Sequence, residues 1–218
     1  MMRTTRSRPA QLAASTCLVV LCLAEMASAH AWSLTISGSG RRLFLHVGNG
    51  ESGNASGAFN GPSGSGGRIN LVSVTVPMNQ IGNGTAIPMS SDSSQATSLY
   101  GDGRNACPNP TEQMMIGAGY RRNSNAPGNA TLSVSSIGGL SNGTDTIPFT
   151  EIGWDVSGPG SPNPNVIPTG NFNGATQTLA TVLNNTYLET CHVFRYANRA
   201  VRAAGTYNGR VTYTLSSP

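Results

Sequence analysis

The sequence predicts an all-β protein: an antiparallel β-sandwich or barrel with long Gly-, Ser- and Pro-rich loops. Three observations carry this expectation. Apolar residues recur at every second position in short runs, glycine-containing turn pairs separate the runs, and no helical periodicity spans a helix-length segment. The 218 residues include 27 Gly and 13 Pro, only 10% are charged, and no Lys occurs. Such a composition excludes a coiled coil, a long-helix bundle and a charged disordered polypeptide.

The runs can be taken in sequence order. Trp32, Leu34 and Ile36 alternate with Ser33, Thr35 and Ser37, and Leu43, Leu45 and Val47 follow the same rule. Val72, Val74 and Val76 form a third run, ended by Pro77, and Leu132 and Val134 a fourth. Between Thr146 and Val156 the apolar parity switches, from Ile147 and Phe149 to Ile152, Trp154 and Val156, which predicts a bulge at Thr150-Glu151. The clearest run is the last: Val211, Tyr213 and Leu215 against Arg210, Thr212 and Thr214. Asn-Gly pairs begin at Asn49, Asn60, Asn83, Asn142, Asn173 and Asn208, and supply the positive φ of tight hairpin turns. Two brief stretches, 111–116 and 177–183, carry helix signals. Residues 48–67 are of low complexity and read as a loop; residues 158–168 are Pro-rich and read as an extended segment.

The first 29 residues read as a secretory signal peptide. Arg3, Arg6 and Arg8 form a basic start, an apolar stretch runs from Leu12 to Ala24, and Ala27-Ser28-Ala29 satisfies the small-x-small cleavage rule. The apolar stretch is shorter than the roughly 20 residues that span a bilayer, so no membrane insertion is expected after cleavage. Ala29-His30-Ala31 also fits the rule, which leaves His30 or Trp32 as the mature start. Residues 30–218 are then expected to form one domain, secreted or held in the periplasm or at the cell surface. Loss of the leader removes Arg3, Arg6, Arg8 and Glu25, leaving a net charge of +2 instead of +4. That balance gives no basic face for a nucleic acid.

The mature protein keeps two of the four cysteines, Cys107 and Cys191. In an oxidising compartment, with no Cys-x-x-Cys, this pair predicts a structural disulfide.

The chemistry-bearing residues do not assemble into a known catalytic motif. No nucleophile elbow, His-Glu-x-x-His, Walker loop or dinucleotide-binding glycine pattern occurs, so neither catalytic residues nor a cofactor are assigned. The acids Glu51, Asp92, Asp102, Glu112, Asp145, Glu151, Asp155 and Glu189 are scattered, and a glycosidase pair among them stays open as an alternative. The histidines are His30, His46 and His192. An N-terminal His30 with a second His would suit Cu(II), as in copper oxygenases of polysaccharides, but a strand or surface position explains all three and no metal site is assigned. Arg195, Arg199 and Arg202 read as a dispersed solvated set, with a patch for anionic surfaces as the sharper alternative. Asn-x-Ser/Thr triplets at Asn54, Asn83, Asn129, Asn142 and Asn184 are expected by chance in so Asn-, Ser- and Thr-rich a sequence with a bacterial-type leader.

The segment Ala204-Gly205-Thr206-Tyr207-Asn208-Gly209-Arg210-Val211-Thr212-Tyr213-Thr214-Leu215 resembles the terminal strand of bacterial chaperone–usher fimbrial subunits and of related spore-coat-U-like secreted domains. The match covers about 12 residues. It departs from the pattern in its Leu215-Ser216-Ser217-Pro218 ending and in having no cysteine near the N-terminal strand. The resemblance implies an immunoglobulin-like form of the β-sandwich and a fimbrial (pilus) subunit, a structural or adhesive surface protein that assembles by strand donation. Trp32, Leu34 and Ile36 would be the donor strand, and Val211, Tyr213 and Leu215 the core side of the terminal strand. It further implies self-association or other fimbrial subunits as partners, with a periplasmic chaperone before assembly. The alternatives are a secreted carbohydrate- or ligand-binding module that stacks sugars on Tyr100, Tyr120, Trp154 or Tyr187, and, less favoured, a secreted enzyme.

Overall fold

Short runs with one apolar side can bury that side only by pairing into sheets that face each other. The computed structural model describes residues 42–53, 70–99, 104–122, 128–157 and 167–218, all within the compact unit Ile36–Pro218. The other unit, Met1–Thr35, lies outside the described residues, and so do the candidate donor residues Trp32, Leu34 and Ile36.

The strands in sequence order are β1 (Arg42–Val47), β2 (Gly50–Gly53), β3 (Val72–Ser73), β4 (Ile87–Pro88), β5 (Ser90–Ser91), β6 (Met114–Arg121) and β7 (Ala130–Ser135). They continue with β8 (Gly139–Ser141), β9 (Thr146–Pro148), β10 (Ile152–Ser157), β11 (Gly170–Asn171), β12 (Thr176–Val182), β13 (Thr186–Tyr196) and β14 (Thr212–Ser216). All pairings among them are antiparallel.

The larger sheet runs in the order β11-β10-β13-β6-β1-β2, with β4 pairing the C-terminal half of β13. A second sheet, β12-β7-β14, shares its core: Ile116, Ala118 and Leu188 from the first pack in one cluster with Ala130, Leu132, Val134 and Val182 from the second. Two small two-stranded sheets, β3-β5 and β8-β9, complete the described architecture. The all-β, antiparallel expectation therefore holds.

Where one side of a strand faces water, the alternation predicts it. In β7 buried and half-buried residues alternate, and in β14 Thr212, Thr214 and Ser216 are exposed while Tyr213 and Leu215 lean on the core. Val211 packs against the same core just before β14 begins.

Four expectations need correction. The helix signals at 111–116 and 177–183 give way to strands β6 and β12, because pairing with β1, β13 and β7 overrides a weak local preference. The parity switch near Thr150 is not a bulge: Phe149–Glu151 form a 3-10 turn that re-aims the backbone between β9 and β10. The low-complexity stretch begins with structure, since Gly50–Gly53 return along β1 as a hairpin whose turn places Gly48 at φ +59°. Finally, the run from Val72 keeps only Val72–Ser73 as a ladder, and Val74 and Val76 pack on the core without strand partners.

Candidate functional site

In β6, Gly117 and Gly119 alternate with Ile116, Ala118 and Tyr120, so one side of the strand carries glycines and the other bulky residues. The register sets His46 of β1 and Glu189 of β13 on either side of Gly117, and Phe44 and Tyr187 on either side of Gly119. The absent side chains make room for the rings of their neighbours. A Cβ on Gly117 would lie 2.6 Å from His46 Cδ2 and 2.7 Å from Tyr187 Oη.

A polar cluster results on the face of the sheet turned away from the sandwich core. His46 Nε2 lies 2.8 Å from Tyr187 Oη, and Tyr187 Oη–H donates to Glu189 Oε2 at 3.0 Å. Ser98 Oγ–H donates to the same carboxyl oxygen at 3.0 Å. A phenol has one hydrogen, and here Glu189 receives it. We therefore assign the hydrogen between His46 and Tyr187 to His46 Nε2. Nδ1 makes no regular hydrogen bond among the described residues, and the backbone contact of the ring with Gly48 only partly opposes the effect of burial. Burial holds the His46 imidazole down at about 3, so it is neutral at ordinary pH.

A cap covers this cluster. Residues 96–98 and 104–107 pair as a narrow hairpin, through Ser98 N–H to Arg104 O (2.8 Å), Cys107 N–H to Ala96 O (3.0 Å) and the Thr97–Asn105 bridge. Leu99 packs on Phe44 and Tyr187, and Ala106 and Cys107 pack with Met115 and Cys191. The predicted disulfide Cys107–Cys191 is present, with Cα atoms 5.6 Å apart, and joins the cap to the middle of β13. Ser98, His46, Tyr187 and Glu189 are all buried. The cluster has the residue types of acid–base chemistry, but it is closed and its hydroxyls point at a carboxyl group. Its evident effect is to tie β1, β13 and the cap together through shared hydrogen bonds. Gly117→Ala is expected to lower stability by about 1–3 kcal/mol, because the added methyl forces His46 and Tyr187 off their bonds. Urea denaturation checks this, and an unchanged midpoint would show that the cluster yields freely.

The second described histidine, His192, lies on the opposite face of the same sheet. It is buried, with its ring stacked on Trp154 at 5.6 Å and 3° and tilted against Phe194 at 5.8 Å. Neither ring nitrogen has a partner, and burial depresses this imidazole to about 3 as well. His46 and His192 thus cannot share a metal ion, and His30 lies outside the described residues. Among the described residues no group of three or more His, Cys, Asp or Glu side chains could hold a metal.

The remaining candidates separate as follows. Tyr120, Trp154 and Tyr187 are buried and offer no stacking face to a sugar, and Tyr100 lies outside the described residues. Arg195 pairs with Asp155 and, with Arg199, borders an open dish of 230 Å³ together with Gly84, Gly153 and Asn171. Arg202 turns away, donating to Thr146 O at 3.3 Å and standing 4.0 Å from Asp145, so the three arginines form no single patch. Asp145 is held below the usual carboxylate range, foremost by the Thr146 N–H and then by the Tyr207 hydroxyl. Asp92 accepts from Asn70 and Leu71, Glu151 from Arg199 N–H, and Glu189 from Ser98 and Tyr187, so these acids are drawn to different partners, while Asp102 and the Glu51 side chain lie outside the described residues.

The sheet edges are the other exposed chemistry. β14 pairs with β7 over its full length, and no strand pairs its outer edge among the described residues. Its five residues, Thr-Tyr-Thr-Leu-Ser, hold no charge and no proline. β12, at the opposite edge of the same sheet, has a register shift between Thr178 and Ala180 that breaks the regularity of its ladder.

The alternation readily exposes β14, but neither the cap nor the buried polar cluster follows from it. The signal that could have found the cluster is the paired glycines of β6, which within a strand mark the close approach of neighbouring groups. Comparison with protein-family models, with curated proteins and with solved structures finds no match to this protein.

Proposed function

We propose that the protein is an exported structural or adhesive surface subunit of fimbrial type that joins its neighbours by strand addition at β14. One observation carries the reading: the contrast between the two edges of the small sheet. Exposed edges are normally blunted by charge, proline or a bulge. β12 has such a bulge, whereas β14 presents a regular, uncharged ladder whose second edge is hydrogen-bonded to no strand among the described residues. An added strand would satisfy its free N–H and C=O groups and extend a sheet that has only three strands. Trp32, Leu34 and Ile36, spaced by two, would supply an apolar face from a neighbouring copy, as in immunoglobulin-like pilus subunits. The leader-like N-terminus and the disulfide favour an oxidising compartment, where a periplasmic chaperone would shield the edge before assembly.

The test compares residues 30–218 with residues 38–218. The longer protein is expected to form multimers in light scattering. The shorter one should stay monomeric and gain thermal stability on binding a synthetic peptide of residues 30–37. Two equally stable monomers and no peptide binding would overturn the proposal.

A further inference from the structure

Six Asn-Gly pairs make this protein chemically unusual, because Asn-Gly is the dipeptide in which a backbone nitrogen most easily reaches a side-chain amide. The fold treats the five described pairs differently. Asn83 Oδ1 accepts from Thr85 N–H and Asn198 Nδ2, while Gly84 N–H donates to Asn198 O. Asn142 Oδ1 accepts from Thr144 N–H, Thr144 Oγ1 and Asp145 N–H, while Gly143 N–H donates to Ser141 Oγ. Asn173 Oδ1 accepts from Ala175 N–H, while Gly174 N–H donates to Ser136 Oγ. The Asn49 amide is held by Asn70, Ser94 N–H and Ser94 Oγ, with Gly50 in the β1–β2 ladder. In each pair both reacting partners are occupied.

At Asn208 the arrangement is the reverse. Asn208 and Gly209 are exposed, and neither the Asn208 amide nor the Gly209 N–H makes a hydrogen bond among the described residues. Only the backbone of Asn208 is engaged, in reciprocal bonds with Ser141 of 2.8 and 2.9 Å. Turning Asn208 toward the reactive geometry breaks one of these bonds, whereas each of the other sites must give up at least two.

The geometry points to Asn208-Gly209 as a site of spontaneous backbone modification in the folded protein. The Gly209 nitrogen attacks Asn208 Cγ and a new bond between them closes a succinimide. The bond from Cγ to the amide nitrogen Nδ2 breaks and releases ammonia, the Gly209 proton leaving with it. Water then opens the ring to aspartate or, with an extra backbone carbon, isoaspartate. No redox partner is needed. The isoaspartyl product lengthens the backbone at the residue that fastens β8 to the segment leading into β14. Its formation is therefore expected to loosen that anchor.

Incubating the mature protein at mildly alkaline pH and mapping it by tryptic mass spectrometry tests this. The peptide of residues 203–210 is expected to gain about one mass unit roughly tenfold faster than Asn83, in the peptide of residues 69–104, and than Asn142 and Asn173, which share the peptide of residues 123–195 and are told apart by fragmentation, since each hydrogen bond to be broken adds to the barrier. In denaturant the Asn-Gly sites should converge in rate. Methylation by an isoaspartate-specific methyltransferase should appear at the same peptide and vanish in Asn208→Gln. If the peptide of residues 203–210 deamidates no faster than the other three in the folded protein, the assignment is overturned.

Discussion

Removing the Cys107–Cys191 bond, by replacing both cysteines with alanine, is expected to lower the stability of the protein by about 4 kcal/mol. The bond closes a sequence separation of 84, so its loss frees a large loop in the unfolded state. A typical domain is stable by only about 5–15 kcal/mol, so the loss is a large share of the total. Alanine is the suitable replacement because both sulfurs are fully buried beside Ala106 and Met115, where a serine hydroxyl would need a partner. Guanidinium denaturation under non-reducing conditions measures the change. The cap should loosen first, since the bond is its covalent tie to β13. Trypsin cleavage after Arg104, within the cap hairpin, is expected to accelerate before the rest of the molecule opens. A loss below about 1 kcal/mol would mean that the cap's own contacts suffice.

Acid is the second strong lever. His46 and His192 are both held neutral by burial, with values near 3 against an ordinary 6.5. The unfolded state therefore binds protons that the folded state refuses as pH falls below about 6.5. Stability is fully present above that value and is lost on the way down to about 3. Each ring contributes roughly 1.4 kcal/mol per pH unit, so the pair gives about 2.7 kcal/mol per unit between pH 6 and 4. Asp145, whose value is depressed from 3.8, acts in the same direction but only at the acid end of this window. His192→Phe isolates one ring. Neither nitrogen of His192 has a partner, so phenylalanine forfeits no hydrogen bond and can keep the stack on Trp154. The variant is expected to have half the slope and to gain about 2 kcal/mol over the native protein at pH 5 relative to pH 7. Urea melts at successive pH values decide it. An unaltered pH profile would show that the His192 ring takes up its proton without unfolding.

These two effects arise where the sequence is least legible. β7 and β14 can be read from period-two patterns because each has one wetter side. In β1, by contrast, Leu43, Leu45 and Val47 pack on the core but Phe44 and His46, which the alternation turns to water, are buried under the cap. β13 cannot be read in this way. Its residues Tyr187 to His192 are buried in unbroken succession, since Leu188 and Thr190 enter the sandwich while Tyr187, Glu189 and Cys191 lie under the cap. Burial from two sides erases alternation, and the polar Glu189 and Thr190 hide what apolar signal remains. β6 is obscured in the same way: its start falls in the stretch read as a helix signal, and its glycines break the alternation until strands on both sides supply the rings that need the space. The disulfide was legible because compartment and cysteine count decide it without geometry. The cluster of Ser98, His46, Tyr187 and Glu189 was not, because its members are separated by up to 143 positions and only strand register makes them neighbours.

Two-sided burial also limits how such a protein can vary. Along β13, from Tyr187 to His192, every position answers to a neighbour above or below, so substitution there has no neutral direction. Tolerated change is left to the turns and the outward threonines of β14, around a central strand that stays fixed.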